Sequence, residues 1–386
     1  MFFFFFDEDN EEEMNKVISE NGLLSGNAGE WSEPYVLLRL LANEKIFAAD
    51  ENLNKIPEIY FPILKIVRQE LNDKIKKTYN KIDFVVKTEK NIEIYFNDEL
   101  LKTIPESVFE KQADYLLAEI QNKVKGNLTV KKTQYFLNSL GCNSLKASSQ
   151  DKTDITLQLH DINTGYNPIC GFSIKSQLGS ASSLVNASEA TNFIYEIKGL
   201  NQDIIYFINQ IDTASKIQDR IRVIKEESND FIFYKMNNQV YNNNLFYLDT
   251  SMPQLLAEAL KYSYFMNETS CKTIIELLKK KNPLNYPADG NYYEYKFKKF
   301  LCSAALGMMP SKPWNGKDEA NGGYIIVRRD GEVLAYYIYN RDKFEDYLYN
   351  NTYFERGSTT KHKFATIYEE DGKTLIKLNL QIRFNQ

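Results

Sequence analysis

A mixed α/β fold is predicted by three features of the 386-residue sequence. Residues 29–42 carry apolar side chains at the three- and four-residue spacing of an amphipathic helix. Residues 154–159 and 171–175 alternate between apolar and polar side chains, and turn-forming residues separate them, which predicts a β-hairpin. Hydrophobic residues make up 43% and charged residues 26% of the chain, which is typical of a globular protein with a substantial core.

The N-terminal third is predicted to be mainly helical. The helix over residues 29–42 contains Pro34, which we expect in its first turn, where proline is tolerated. Helical spacing also covers residues 59–77 and 106–123, on either side of a short strand pair.

The remainder of the chain shows both the two-residue alternation of strands and the three- and four-residue spacing of helices. After the first hairpin we predict a strand, a helical segment and two further hairpins, at residues 192–197, 204–221, 323–339 and 364–384. The predicted organisation therefore has three parts: a helical part at 1–135, a core that contains the first hairpin at 136–250, and a C-terminal α+β part at 251–386.

Charge and cysteine content restrict the class of protein. The net charge of −5 argues against a protein that coats nucleic acid, because Lys and Arg supply most of the affinity for phosphates. Lysines cluster at 123–132, 279–281 and 296–299, but such runs are usually solvated helix faces. The four cysteines are far apart and form no CxxC pair, which favours a reducing, cytoplasmic setting without disulfides or a thiolate zinc site.

Several other classes lack their sequence signals. The apolar run Met1 to Phe6 has no basic residues before it and leads directly into an acidic stretch, so we expect neither a signal peptide nor a membrane partner. The absence of a Gly-rich Lys-Ser/Thr loop argues against ATP as a partner. The two histidines, His160 and His362, are too few for a His-rich zinc site.

The first predicted hairpin carries residues suited to chemistry on a phosphate. Asp154 opens its first strand, and Ser173 and Lys175 share one face of the second, because they are two residues apart. A carboxylate here can bind a hard divalent cation, and a neighbouring lysine can orient a water and stabilise negative charge on a phosphate. Many strands begin with Asp and carry a surface Lys, so this spacing alone is not specific.

Blocks of residues around this hairpin and at both ends of the chain are more specific. They are Gly26-Asn27-Ala28-Gly29-Glu30-Trp31-Ser32-Glu33-Pro34-Tyr35, Gly171-Phe172-Ser173-Ile174-Lys175-Ser176-Gln177-Leu178-Gly179-Ser180, Gly322-Gly323-Tyr324-Ile325-Ile326-Val327 and Leu378-Asn379-Leu380-Gln381-Ile382-Arg383-Phe384. In this order they resemble the HpaII family of type II restriction endonucleases, which has the PD-(D/E)xK nuclease fold. The resemblance implies a mixed-sheet nuclease core that uses Mg²⁺ to cut duplex DNA at a short palindrome such as CCGG, leaving 5′-phosphates, within a restriction-modification system.

The resemblance also implies roles for individual residues. Asp154 corresponds to the metal-binding aspartate and Lys175 to the catalytic lysine. Ser173 stands where the wider fold has Asp or Glu, and a hydroxyl is a poor replacement for a charged metal ligand. A second carboxylate is therefore expected from elsewhere in the chain.

Three glutamates are candidates for this second carboxylate. Nucleases of this fold often use a glutamate from the first helix, and the three-residue spacing of Glu30 and Glu33 places both on one helix face. The alternative function, which one of the two could have, is to stabilise a helix N-terminus. Glu189 is the rival candidate, because the NgoMIV-like restriction enzymes, which also have serine before x-Lys, take their glutamate at about this distance.

Recognition of DNA is expected after the catalytic strand and in the C-terminal third. The loop after Lys175 carries polar side chains that can contact base edges or phosphates, or that are simply solvated: Gln177, Ser180, Ser182, Ser183 and Asn186. Guanine is usually read by Arg or Lys, which this loop lacks. Cationic candidates lie further along the chain, at Arg341 and also at Arg328, Arg329, Arg356 and Lys361.

Two other functions remain open at the level of sequence. One is a repair or structure-selective nuclease on the same fold, and the other is a DNA-binding protein whose nuclease centre has decayed, for which Ser173 is the argument. A palindromic target favours a homodimer, or a monomer that nicks each strand in turn.

Overall fold

The computed structural model describes residues 11–71, 78–123, 126–147 and 153–385. The opening run Met1 to Phe6, Lys125 of the first lysine cluster, and residues 72–77 of the helix predicted over 59–77 lie outside these ranges. Within them the chain is a mixed α/β protein, as predicted. No helix in these ranges has both the length and the apolar character needed to cross a membrane.

Helices occur throughout the described ranges. They are α1 (Glu11–Asn21), α2 (Ala28–Asn43), α3 (Glu106–Gln121), α4 (Lys131–Ser139), α5 (Gln202–Gln210), α6 (Lys216–Glu227), α7 (Gln239–Leu248), α8 (Met252–Met266), α9 (Cys271–Lys281), α10 (Tyr292–Ala305), α11 (Arg341–Asn350) and α12 (Thr359–His362). Short 3₁₀ turns cover Glu189–Thr191 and Ile338–Asn340.

The strands are distributed in the same way. They are β1 (Lys45–Ala49), β2 (Lys55–Leu71), β3 (Tyr79–Lys87), β4 (Asn91–Phe96), β5 (Glu99–Pro105), β6 (Ile155–Leu159), β7 (Ile169–Ser176), β8 (Ser183–Val185), β9 (Asn192–Lys198), β10 (Asp230–Met236), β11 (Gly323–Val327), β12 (Val333–Tyr337), β13 (Thr352–Phe354), β14 (Ile367–Glu370), β15 (Lys373–Asn379) and β16 (Ile382–Phe384). The hairpins predicted from alternation are confirmed as β6–β7, β11–β12 and β14–β15.

The chain forms two compact units that interleave along the sequence. The first comprises residues 1–182 and 319–343, and the second comprises 183–318 and 344–386. The boundaries that we predicted after residues 135 and 250 do not coincide with the ends of these units.

The first unit is built on a mixed sheet. Its described strands follow the order β1-β12-β11-β7-β6-β2-β3-β4-β5, and β1 also pairs with the start of β2. Strand β7 has β6 as an antiparallel neighbour and β11 as a parallel neighbour, and α2 packs against it. Fully buried aromatic side chains fill the space between the helices and the sheet, among them Trp31, Tyr35, Phe84, Phe109, Phe136 and Phe172.

Two sequence predictions for the N-terminal part are wrong. It is not mainly helical, because β1 to β5 lie within it, and the predicted helix at 59–77 is occupied over residues 59–71 by β2. The register of β2 against β6 shifts between Ile63 and Lys65. This bulge changes the spacing of the buried residues from two to three between Ile63 and Ile66, which imitates a helical period.

The bulge also determines which polar residues of β2 face inward. Beyond Ile66 the two-residue alternation resumes, so that Arg68 and Glu70 are buried, at 6% and 4% exposure. An Arg and a Glu two residues apart on the inner face of a strand are costly to bury unless they are paired. They form an ion pair beside the candidate site.

The helix predicted over residues 29–42 is confirmed, but Pro34 is not in its first turn. Helix α2 begins at Ala28, because Asn27 and Glu30 form a capping box at its start. Pro34 therefore lies in the second turn, where it has no N–H to donate to the carbonyl oxygen of Glu30.

The second unit contains two smaller antiparallel sheets with helices packed around them. One has the order β10-β9-β15-β14 and the other β13-β16-β8. Helix α8 packs on β10 and β15, and the buried Tyr195 of β9 donates a hydrogen bond to the carbonyl oxygen of Ala257 in that helix, at 2.7 Å.

Candidate active site

Asp154 is fixed at the start of the β6–β7 hairpin by three hydrogen bonds to β7. Its backbone N–H donates to the carbonyl oxygen of Phe172 at 3.0 Å. Its carboxylate oxygen Oδ2 accepts from the Ser173 hydroxyl at 3.0 Å and from the backbone N–H of Ile174 at 2.7 Å. Both side-chain bonds end on Oδ2, so Oδ1 is the oxygen that can bind a cation.

Ser173 and Lys175 lie on β7 beside this carboxylate. Ser173 is 9% exposed, and its hydroxyl orients the Asp154 carboxylate. The serine therefore has a positioning role, although it stands where related nucleases have a metal ligand. Lys175 is two residues further along the same strand, in register with Ile326 of β11, and is partly exposed. The hairpin therefore brings a fixed carboxylate and a lysine to one edge of the site.

Helix α2 is joined to β7 by buried hydroxyl groups. The Ser32 and Ser176 hydroxyl groups are hydrogen-bonded to each other at 2.7 Å, and both residues are buried. A Cβ atom at Gly179 would lie 3.1 Å from the Cβ of Ala28, so the chain after β7 also approaches the start of the helix closely. The first turns of α2 are thus fixed next to Lys175.

The two glutamates of α2 have different environments. Glu30 accepts the backbone N–H of Asn27 through Oε2 at 2.9 Å, and its Oε1 lies 3.4 Å from Nζ of Lys146. The bond from Asn27 lowers the pKa of Glu30, so this residue is an ionised helix cap.

Glu33 lies in the same electrostatic environment as Asp154 and Lys175. Burial, and then the negative charge of Asp154, raise the pKa of Glu33 to about 8, while the positive charges of Lys146, Arg68 and Lys175 oppose the rise. Two carboxylates that repel each other in a partly buried site are an arrangement that a divalent cation stabilises.

The carboxylate oxygens of Asp154 and Glu33 fit a hard divalent ion whose remaining coordination positions are filled by other ligands. Mg²⁺ prefers oxygen and is commonly bound by one or two carboxylates, with water and phosphate completing its coordination. Among the described residues, no three Asp, Glu, His or Cys side chains are close enough together to enclose a metal ion. Asp154 and Glu33 are the carboxylates of this site that would hold such an ion.

Sequence reasoning missed three charged residues around this site. Arg68 Nε lies 2.7 Å from Glu70 Oε1 in the buried ion pair, and Lys146 lies beside Glu30. The pattern Asn27-x-x-Glu30 could have identified Glu30 as a cap. No local pattern reveals Lys146, because it reaches Glu30 across more than a hundred residues.

Glu189, the third candidate, belongs to the second unit. Its carboxylate lies 2.8 Å from Nζ of Lys363, and both side chains are more than half exposed. The hydrogen bond from Lys363 lowers the pKa of Glu189, so it is an ionised surface partner of that lysine. Its assignment as a metal ligand stays a prediction.

Comparison with known proteins decides the family. The HpaII restriction endonuclease family matches residues 27–384. The type II restriction enzyme HpaII of Haemophilus parainfluenzae is 43% identical over 364 residues, which cover 93% of this chain and 98% of that enzyme. The chain belongs to the HpaII restriction endonuclease family. The family predicted from the sequence blocks is thus confirmed, while no solved structure matches the chain.

In this family member the loop after β7 passes from one unit to the other. Gln177, Ser180 and Ser182 belong to the first unit, where the backbone N–H of Gln177 donates to the carbonyl oxygen of Val327 at 2.9 Å. Ser183 begins β8 in the second unit, and Asn186 follows that strand. Their contacts with DNA stay predictions.

The cationic candidates divide into structural and surface residues. The guanidinium of Arg356 donates to the Ser263 hydroxyl at 2.9 Å and to the Ser263 carbonyl at 2.8 Å, and it lies 4.2 Å from the Tyr264 ring centroid. Arg356 therefore has partners within the second unit, and its contact with bases stays a prediction. Arg341 begins α11 and is partly exposed, so its predicted contact with DNA remains to be tested.

The C-terminal lysine cluster is also engaged within the protein. Lys296 pairs with Asp249 at 2.6 Å, Lys298 pairs with Asp346 at 2.6 Å, and Lys299 pairs with Glu345 at 2.7 Å. These ion pairs join α10 to neighbouring segments of the second unit. This run of lysines therefore contributes ion pairs to the packing of the second unit.

Replacement of Arg356 with alanine is expected to destabilise the protein without changing where DNA is cut. The change removes the two part-buried hydrogen bonds of the guanidinium to Ser263 and its contact with the Tyr264 ring, which costs about 2 kcal/mol of unfolding free energy. Urea unfolding measures the loss, and end mapping of cleaved DNA measures specificity. Unchanged stability with altered cut sites would place Arg356 at the bases instead.

Replacement of Glu33 with glutamine is expected to stabilise the metal-free protein at alkaline pH. A folded-state pKa near 8 lies above the ordinary value of 4.5, so the stability from protonated Glu33 is complete below pH 4.5 and is lost as the pH rises to about 8. Glutamine stays neutral, and the gain above pH 8 is on the order of 5 kcal/mol, from the rise of the pKa from 4.5 to about 8 at about 1.4 kcal/mol per pKa unit. Thermal unfolding in EDTA between pH 5 and 9 measures it; a constant difference across this range would contradict the buried-carboxylate assignment.

Proposed function

We propose that the protein is a magnesium-dependent type II restriction endonuclease with a PD-(D/E)xK core. The observation that carries the proposal is the convergence of Asp154, Lys175 and Glu33, from two strand segments and a helix, in a member of the HpaII restriction endonuclease family. The order of β11, β7 and β6, with α2 packed against β7, supports the assignment of the nuclease core.

The substrate proposed is duplex DNA with the sequence CCGG. The named relative of this chain is a type II restriction enzyme, and the identity of 43% extends over nearly the whole of both proteins. Hydrolysis adds water to the phosphorus, breaks the bond to the 3′ oxygen and leaves a 5′-phosphate. A palindrome is matched by two copies of the chain, and sedimentation of the protein with and without a CCGG duplex tests whether it acts as a dimer.

Each residue of the site has a distinct part in this reaction. The Ser173 hydroxyl and the Ile174 N–H fix the plane of the Asp154 carboxylate, so that Oδ1 has one orientation. Asp154 and Glu33 would bind the divalent ion, which supplies Lewis-acid stabilisation of the negative charge on the phosphate. Lys175 lies on the same strand face as Ser173 and orients the attacking water or stabilises the charge that develops on the phosphate.

Incubation of unmethylated plasmid DNA with the protein and Mg²⁺, followed by mapping of the fragment ends, tests the proposal. Discrete fragments that all end within CCGG would support it. A smear of fragments would support a structure-selective or repair nuclease, and intact plasmid with retarded migration would support a DNA-binding protein without activity. Omission of Mg²⁺ should prevent cleavage.

A further inference from the structure

A buried ion pair on β2 fixes the segment that precedes Lys146. Arg68 and Glu70 have side-chain exposures of 7% and 5%. Glu70 Oε2 accepts from the Ser144 hydroxyl at 2.7 Å, and Arg68 Nη2 donates to the Ser144 carbonyl oxygen at 2.5 Å. Since a buried ion pair contributes little net stability, its most evident effect is to fix the position of Ser144.

The residues on both sides of Ser144 are fixed by packing. Cys142 and Leu145 are buried in the core of the first unit, at 0% and 8% exposure. Leu145 lies against Gly26, where a Cβ atom would be only 2.6 Å from Cδ1 of the leucine. The backbone that leads to Lys146 therefore has one position, set by polar and apolar contacts together.

The side chain of Lys146 extends from this fixed backbone to the edge of the candidate site. It is 59% exposed, and its Nζ lies 3.4 Å from Glu30 Oε1. Burial and the charge of Asp154 raise the pKa of Glu33. Among the cations that oppose this rise, Lys146 has the largest effect. An exposed ion pair of this length contributes about 0–1 kcal/mol, so stability does not explain why this lysine is positioned so firmly.

We propose that Lys146 contacts a DNA phosphate at the cleavage centre, next to the phosphodiester that Lys175 faces. A lysine ammonium is a point charge that binds phosphate without strict geometry. Lys146 combines a fixed protein backbone with an exposed ammonium group beside two carboxylates. The ammonium therefore attracts the phosphate backbone of DNA, which those carboxylates would otherwise repel. The proposal rests on the proposed nuclease function and adds a phosphate-binding residue to that site.

Lys90 provides a matched control. Its Nζ lies 3.3 Å from Glu106 Oε1, its side chain is 77% exposed, and Glu106 is in the first turn of α3 just as Glu30 is in the first turn of α2. Lys90→Ala therefore removes the same kind of ion pair at another helix start of the same unit. A loss of DNA affinity and of salt slope that is specific to Lys146→Ala then comes from contact with DNA.

The test measures binding of a fluorescent CCGG duplex in EDTA over a range of salt concentrations, together with single-turnover cleavage in Mg²⁺. We expect Lys146→Ala to weaken binding about threefold to tenfold and to reduce the slope of log affinity against log salt by about 1. Lys146→Arg, which keeps the charge, should retain the wild-type slope. Lys90→Ala should behave as wild type.

Two outcomes would overturn the proposal. One is a Lys146→Ala protein whose affinity and salt slope equal those of Lys90→Ala. The other is slower cleavage with an unchanged salt slope, which would mean that Lys146 acts only through Glu30. Failure of the wild-type protein to cut DNA would instead count against the proposed function, so the two failures are distinguishable.

Discussion

Alanine at Asp154 or at Lys175 is expected to lower the single-turnover rate of DNA cleavage by at least about 10³-fold while most DNA binding remains. Both side chains act on charge that develops at the phosphate, whereas the contacts that position the duplex are distributed over a larger surface. Cleavage of a CCGG duplex with excess enzyme measures the rate, and a gel-shift or anisotropy assay measures binding.

A suitable control for Lys175→Ala is Lys102→Ala. Lys102 is a partly exposed lysine on β5, and burial lowers its pKa, so its replacement tests the general effect of losing a strand lysine. We expect this variant to cut DNA as the wild type does. Wild-type cleavage rates in either Asp154→Ala or Lys175→Ala would show that the hairpin is not part of the active site.

The second large effect is expected at Glu33. Glu33→Gln should reduce cleavage by about 10²-fold or more, because glutamine cannot neutralise a divalent ion as a carboxylate does. Glu30→Gln should cut at nearly the wild-type rate, because glutamine also serves in a capping box. Glu189→Gln is expected to resemble Glu30→Gln, since Glu189 is paired with Lys363 on the surface of the second unit.

Measurement of the rate against Mg²⁺ concentration separates the roles of these glutamates. Loss of a metal ligand raises the Mg²⁺ concentration needed for half-maximal activity. Loss of a helix cap lowers thermal stability instead. If Glu189→Gln lost activity and Glu33→Gln kept it, the metal assignment would pass to Glu189. Thermal unfolding of all three variants excludes loss of folded protein as the cause.

The β6–β7 hairpin was predictable because its signals are local. Strict alternation in β6 and β7, with turn residues between them, requires no knowledge of the rest of the fold. The position of Asp154 next to Ser173 follows from antiparallel pairing alone. The choice between Glu30 and Glu33 was only partly local: Asn27-x-x-Glu30 is a capping pattern, but which side of α2 faces β7 depends on tertiary packing.

Strand β2 shows why other parts could not be predicted. A one-residue bulge between Ile63 and Lys65 changes the spacing of buried side chains, so a strand looks like a helix in sequence. The burial of Arg68 and its pairing with Ser144 depend on a contact between segments 76 residues apart. Hydrophobic periodicity contains no information about such a contact.

The interleaving of the two units has a consequence for synthesis of the chain. The parallel neighbour of β7 is β11, and the whole of residues 183–318 is translated between them. Until residues 323–327 leave the ribosome, β7 is an edge strand with unpaired backbone groups on one side. The sheet that carries Lys175 is therefore completed late in synthesis, after most of the chain has been made.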